Sequence, residues 1–220
     1  MPPPLDLLAP LLRGLWVTLI ITAGGLGVAA TAAFLAGLGR VSSRAWINVL
    51  AGVYVDFFRG TSALVQLFWA YFVLPLLGIR LEAITVGVVV LGLNIGAYGA
   101  EVVRSAIQAV PQTQHEAAQA LNFTPSQTMR RIVLPQALLA MIPPFGNLMI
   151  ELLKSTALVS LITLSDLTFE AQSLRTETLR SGEVFGLVLA VYFLVAQSMA
   201  ASVKYLERRL AVGQDYGGVR

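Results

Sequence analysis

"EAAQALNFTPSQTMRRIVLPQAL", residues 116–138, decides the fold. It begins like a soluble helix, turns basic at Arg130 and Arg131, and runs into apolar sequence at Ile132. Glu116 to Leu121 is alanine-rich and forms helix readily. Asn122 reads as a left-handed helix stop, where Asn is second only to Gly. Thr124 before Pro125 reads as an N-cap with proline at the first helical position. The stretch therefore predicts two short helices with a bend between them, followed by re-entry into apolar sequence at Ile132-Val133-Leu134-Pro135. A simple connector needs neither this length nor two capped helices.

The surrounding chain is a membrane protein by composition. Of its 220 residues 56% are hydrophobic and 12% charged, with a mean hydropathy of +0.75. Soluble domains carry about 25% charged residues. The chain has no cysteine, which excludes disulfides and thiolate metal sites. Five stretches free of charged residues and histidine are long enough to span: 14–39, 60–79, 83–100, 132–150 and 184–203. Residues 155–165 are too short to span alone and extend the fourth. An odd number places the termini on opposite sides. Ten basic residues fall in the 40–59 and 101–131 connections and the C-terminal tail, against five on the other side. By the positive-inside rule the first group is cytoplasmic, so the N-terminus lies outside and the C-terminus inside. The expected organisation is one transmembrane domain over residues 10–210, a cytoplasmic loop at 114–131 and a cytoplasmic tail at 211–220. The same charge distribution argues against nucleic acid as a partner of this net +3 chain.

Two features of the first span could mislead. Its uncharged run of 26 residues is too long for the h-region of a signal peptide. "GLGVAA", residues 25–30, matches a loose dinucleotide fingerprint, but no strand or βαβ unit frames it. Small residues that let transmembrane helices approach closely are the better reading.

With loop and spans in place, the chain resembles the integral-membrane subunits of ABC importers. Their cytoplasmic loop reads E-A-A, three residues, G, nine residues, I-x-L-P. Here Glu116, Ala117 and Ala118 are followed at matching spacing by Asn122, Ile132, Leu134 and Pro135. Asn122 replaces the glycine, a mild change because both residues tolerate positive φ. "FFRGTSALVQLF" (57–68), "AYGAEVVRSAIQAVPQ" (97–112) and "KSTALVSLITLSDL" (154–167) resemble the polar amino acid branch of that family. Within the branch, "FVLPLLGI" (72–79) and "TALVSLITLSDLTF" (156–169) are most similar to ectoine and hydroxyectoine permease subunits.

The resemblance implies an all-α, five-span permease with the type I ABC importer fold, in a bacterial inner membrane. Its implied partners are a dimer of ATP-binding subunits, a second permease (a paralogue or an identical copy), an extracytoplasmic substrate-binding protein and membrane lipid. ATP and Mg belong to the ATPase partner, because no G-x-x-x-x-G-K-[ST] loop occurs here. The chain is thus expected to couple to hydrolysis and not to catalyse it. Glu116, Ala117, Ala118 and Asn122 are implied to dock on the ATPase, and Pro135 to fix the angle between that loop and the fourth span. The implied cargo is a small zwitterion, ectoine or hydroxyectoine. The alternatives are a polar amino acid such as glutamine, arginine or histidine, or, in a different class, a passive channel or secondary carrier. The latter class commonly shows inverted repeats, and none is evident.

Three acid–base pairs stand at i, i+3 spacing: Asp56 with Arg59, Glu101 with Arg104, and Glu151 with Lys154. Ionisable groups near lipid pair or line a cavity. The first two pairs read as internal ion pairs near cytoplasmic span ends. The third follows Pro143-Pro144, which reads as a break in the fourth span. Asn147, Glu151, Lys154 and Thr156 are therefore candidates for the substrate pathway. The aromatic run Phe68, Trp69, Tyr71, Phe72 reads as interface belt and packing, with cation–π contact to a cationic substrate as the second reading. His115 stands alone and reads as loop surface or ATPase contact, without the partners a metal site needs.

Overall fold

A chain in hydrocarbon must satisfy its backbone N–H and C=O groups internally, so helices are the economical answer. The computed structural model describes residues 4–211, and these contain helices and no strand. The tail read at 211–220 lies outside the described residues apart from Ala211. Helices α1 (Leu8–Arg40), α4 (Ala83–Gln108) and α9 (Ser181–Ala211) are each long and apolar enough to cross a bilayer. So is the stretch Pro125–Ile162, which contains α6 (Pro125–Thr128) and α7 (Leu134–Ser155). The fifth crossing is a bent pair. Helix α2 (Ala45–Gly60) meets the run Ala63–Leu77, which opens with α3 (Ala63–Phe68), at 102°. Short helices α5 (Gln112–Ala120) and α8 (Leu167–Thr178) connect crossings.

The second crossing corrects the expected span of 60–79. Helix starts at Ala45, so much of the 40–59 connection is part of the crossing. A search for charge-free segments cannot find a crossing that carries Asp56 and Arg59. Its bend leaves α2's terminal carbonyls without helical partners. Polar side chains supply donors: Asn94 Nδ2 donates to the Phe58 carbonyl (3.0 Å), and Gln66 Nε2 donates to the same carbonyl (3.1 Å) and to Thr61 Oγ1 (2.7 Å). Asn94 also donates to Gln66 Oε1 at 3.2 Å, which joins α3, α4 and the bend in one network.

Lipid tails are as apolar as leucine, so close packing holds membrane helices together more than burial does. Helix α4 is the most buried crossing and α9 the least. Glycine makes the α1–α4 contact possible. A Cβ on Gly92 would stand 2.6 Å from Val28 Cβ, and one on Gly37 would stand 2.5 Å from Val103 Cβ. "GLGVAA" lies within α1, where Gly25 is buried against Leu152. Tyr71 OH pairs with Thr163 Oγ1 at 3.1 Å, while Trp69 and Phe72 remain half exposed, so the aromatic run combines packing with an outward belt.

At one end, α8 packs between the starts of α1 and α9 through Leu11, Leu167, Ala171, Val184 and Val188. Asp166 caps α8, with Oδ1 accepting from Phe169 N (2.9 Å) and Oδ2 from Thr168 N (3.2 Å). Its residue is fully buried, and burial pushes its carboxyl up to about 6 even though these N–H groups pull the other way. A carboxyl raised on folding binds more protons folded than unfolded between about pH 4 and 6. Its stabilising contribution is complete below the unfolded value and is lost as pH rises through that window. Asp166→Asn keeps the cap and removes the titration. In detergent, thermal unfolding of the wild type should weaken from pH 4 to 6 relative to Asp166→Asn. Asp166→Ala should cost about 1 kcal/mol through the lost cap. Parallel pH curves for wild type and Asp166→Asn would contradict this.

Candidate functional site

The loop of residues 112–133 is built by local rules. Helix α5 ends in a Schellman arrangement: Phe123 N donates to the Ala118 carbonyl (3.0 Å) and Asn122 N to the Gln119 carbonyl (2.9 Å). Asn122 has φ 57°, the left-handed conformation such a stop requires. Thr124 caps α6 and forms a full capping box with Gln127, whose Oε1 accepts from Thr124 N at 2.8 Å. Glu116 and Ala117 point outward, whereas Ala118 is buried against the chain. His115 is half buried and lines a polar recess of about 480 Å3 with Arg40, Asn48, Gln108 and Gln112.

No separate loop helix meets the fourth span at Pro135. Helical structure runs on from Pro125 through a π turn at Met129–Val133 into α7. Pro135 lacks the N–H that would reach the Arg131 carbonyl, so the ladder is already open there and the wider turn absorbs it. Pro143-Pro144 likewise does not break the span, because α7 continues through both prolines to Ser155. The missing N–H groups leave the carbonyls of Leu139 and Ala140 without ladder partners. The change of winding comes later, where Thr156–Ile162 tightens to a 3-10 helix.

Helix α7 has two chemically distinct sides. Ala137, Met141, Leu152 and Leu153 are buried. Gln136, Asn147, Glu151 and Lys154 fall within about 60° of arc at about 100° per residue. Asn147, Glu151 and Lys154 are exposed, as are Ala140 and Pro143 on the same side. Lys154 also borders a recess of about 270 Å3 between α7 and α9, with Ile150, Tyr192 and Gln197. Thr156 does not join this face: it is fully buried, and its hydroxyl donates to the Leu153 carbonyl at 2.7 Å.

The three acid–base pairs behave differently. Glu101 Oε2 accepts from Arg104 Nη2 at 2.7 Å and Nε at 3.0 Å, and Arg40 stands 3.6 Å from Glu101 Oε1. That pair is internal, and α1 contributes a second arginine to it. Among the described residues, neither Asp56 with Arg59 nor Glu151 with Lys154 forms an ion pair, and all four side chains are exposed. The expected Asp56–Arg59 pairing is therefore corrected. Tyr54 OH donates to the Leu93 carbonyl (2.7 Å), and the Arg59 guanidinium lies 5.2 Å from the centroid of the Tyr98 ring. Residues 93–98 lie within about 4 Å of the midpoint of α4 along its axis. Arg59 thus stands level with the middle of α4. Sequence reasoning missed it because the i, i+3 spacing is equally compatible with a closed pair.

Five crossings, one of them bent, with a capped two-helix loop and an open polar face define a membrane permease subunit. Residues 11–212 match the family described as the binding-protein-dependent transport system inner membrane component. The chain belongs to that family. It is similar to a probable amino-acid ABC transporter permease protein, y4tF, of Sinorhizobium fredii (strain NBRC 101917 / NGR234), at 47% identity over 92% of this chain and 87% of that protein. It is 33% identical to the glutamine transport system permease protein GlnP of Escherichia coli (strain K12), over 90% of each chain. A crystal structure of an amino acid ABC transporter with histidines superposes with a TM-score of 0.87 at 34% identity, covering 93% of this chain and 96% of that one. The fold is that of a type I ABC importer permease, and ATP hydrolysis belongs to a separate subunit.

Proposed function

We propose that this chain forms part of the translocation pathway for a polar amino acid, with the exposed side of α7 lining that pathway. The observation that carries the reading is the unpaired, exposed Glu151 and Lys154 on one face with Asn147. Charges at membrane depth without internal partners require water or a partner protein. An acid and a base one turn apart complement the ammonium and carboxylate of a zwitterion. The named relatives are amino-acid and glutamine permeases, which favours a polar amino acid over ectoine. The ectoine reading rests on the likeness of residues 72–79 and 156–169 alone.

In this reading the 112–133 loop is cytoplasmic and docks on an ATPase dimer through Glu116 and Ala117. Ala118 is buried beneath the loop, and Asn122 makes its turn. Since α6 runs directly into α7, closure of the ATPase dimer moves α7 without a flexible joint between them. A second permease, identical or a paralogue, completes the pathway, and an extracytoplasmic binding protein delivers the amino acid.

Two substitutions separate the parts of this mechanism in reconstituted vesicles. Glu116→Lys should leave the subunit in the membrane, lower ATPase capture in a pull-down, and reduce uptake about tenfold or more. Wild-type uptake would sink the docking role. Glu151→Gln should preserve subunit level and ATPase capture but lower glutamine uptake about tenfold, with ectoine uptake at background in both proteins. Loss of Glu151→Gln from the membrane, rescued by adding Lys154→Met, would show the pair to be structural. Ectoine uptake above that of glutamine in the wild type would favour the ectoine reading.

A further inference from the structure

We propose that Asp56, Arg59 and Tyr98 form a second station for the zwitterion, level with the middle of α4. It rests on the reading of the α7 face as the pathway. Arg59 is exposed at the depth of α4's midpoint, where an ionised group persists only beside water or a counter-charge. Among the described residues Arg59 forms no ion pair; it lies over the face of the Tyr98 ring, 5.2 Å from the centroid, and adds to the positive field around Glu101. A ring face holds a guanidinium in place without neutralising it, and the N–H edge stays free for a carboxylate. Asp56, one turn earlier on α2, is exposed and likewise outside ion-pair distance of Arg59.

Depth ties this group to the α7 face. Gly99, the neighbour of Tyr98, packs so closely on α7 that an added Cβ would meet Phe145 Cε1 at 3.1 Å. Tyr98 therefore stands level with Phe145. Asn147 and Glu151 follow within about two turns along α7. Two unpaired acid–base sets with the same i, i+3 spacing thus occur at successive depths, Glu151 with Lys154 and then Asp56 with Arg59. Each offers a cation to the carboxylate and an anion to the ammonium. The bend after Gly60 makes the second set possible, since a straight crossing would not end α2 at this depth.

The test uses the assembled importer in proteoliposomes, on a chain with no native cysteine. Arg59→Cys should assemble and lower glutamine uptake at least tenfold. Modification with aminoethyl methanethiosulfonate, which restores a positive charge, should recover much of that uptake. The sulfonatoethyl reagent should not, and excess glutamine should slow both reactions. Arg59→Lys guards against a folding defect: it should assemble and transport with a raised KM. Wild-type uptake by Arg59→Cys, or equal recovery with both reagents, would overturn the station. So would an unreactive thiol at position 59 when those of Asn147→Cys and Glu151→Cys react. If all three thiols are unreactive, the pathway reading beneath the proposal fails instead.

Discussion

Asn94 donates to the Phe58 carbonyl near the middle of α4, and the shape of the second crossing depends on that bond. A helix that turns through 102° at depth exposes carbonyls that lipid cannot satisfy. Asn94 and Gln66 answer that need from α4 and α3, donating to the Phe58 carbonyl at 3.0 and 3.1 Å. Once the bend is stable, α2 stops near the midpoint of α4. Its last turns then carry Asp56 and Arg59 level with the apolar middle of α4.

The same logic sorts the other charges. Glu101 is closed by two arginines and serves packing. Glu151 and Lys154 are left open, on a helix whose opposite side is tightly buried. An unpartnered ion pair would be a defect in a monomer surrounded by lipid. In one subunit of a larger importer, the proposed function makes the two groups a lining for a polar passage. The unbroken path from α6 into α7 places that lining on the same rigid body as the loop.

Much of this was legible in the residues, and the remainder has identifiable physical causes. The stop at Asn122 and the cap at Thr124 are local, so sequence was sufficient for both. Four crossings followed from charge-free length. The bent crossing did not, because its charges are stabilised by tertiary neighbours such as Tyr98, far away in sequence. Pro143-Pro144 looked like a break, but a helix packed on α4 and α9 tolerates two missing N–H groups and continues. Thr156 looked like a pathway residue from its neighbours, yet it lies one turn after Leu152, on the buried side of the helix.

The central claim is that one side of α7 is wet in the assembled importer. The direct measurement is the rate at which a hydrophilic thiol reagent modifies single cysteines placed in turn at positions 134 to 155. We expect maxima at 136, 140, 143, 147, 151 and 154, recurring at the helical period of about 3.6 residues. Minima should fall at 137, 141 and 152. Rates that are uniformly low along the helix, or highest at 137, 141 and 152, would contradict it.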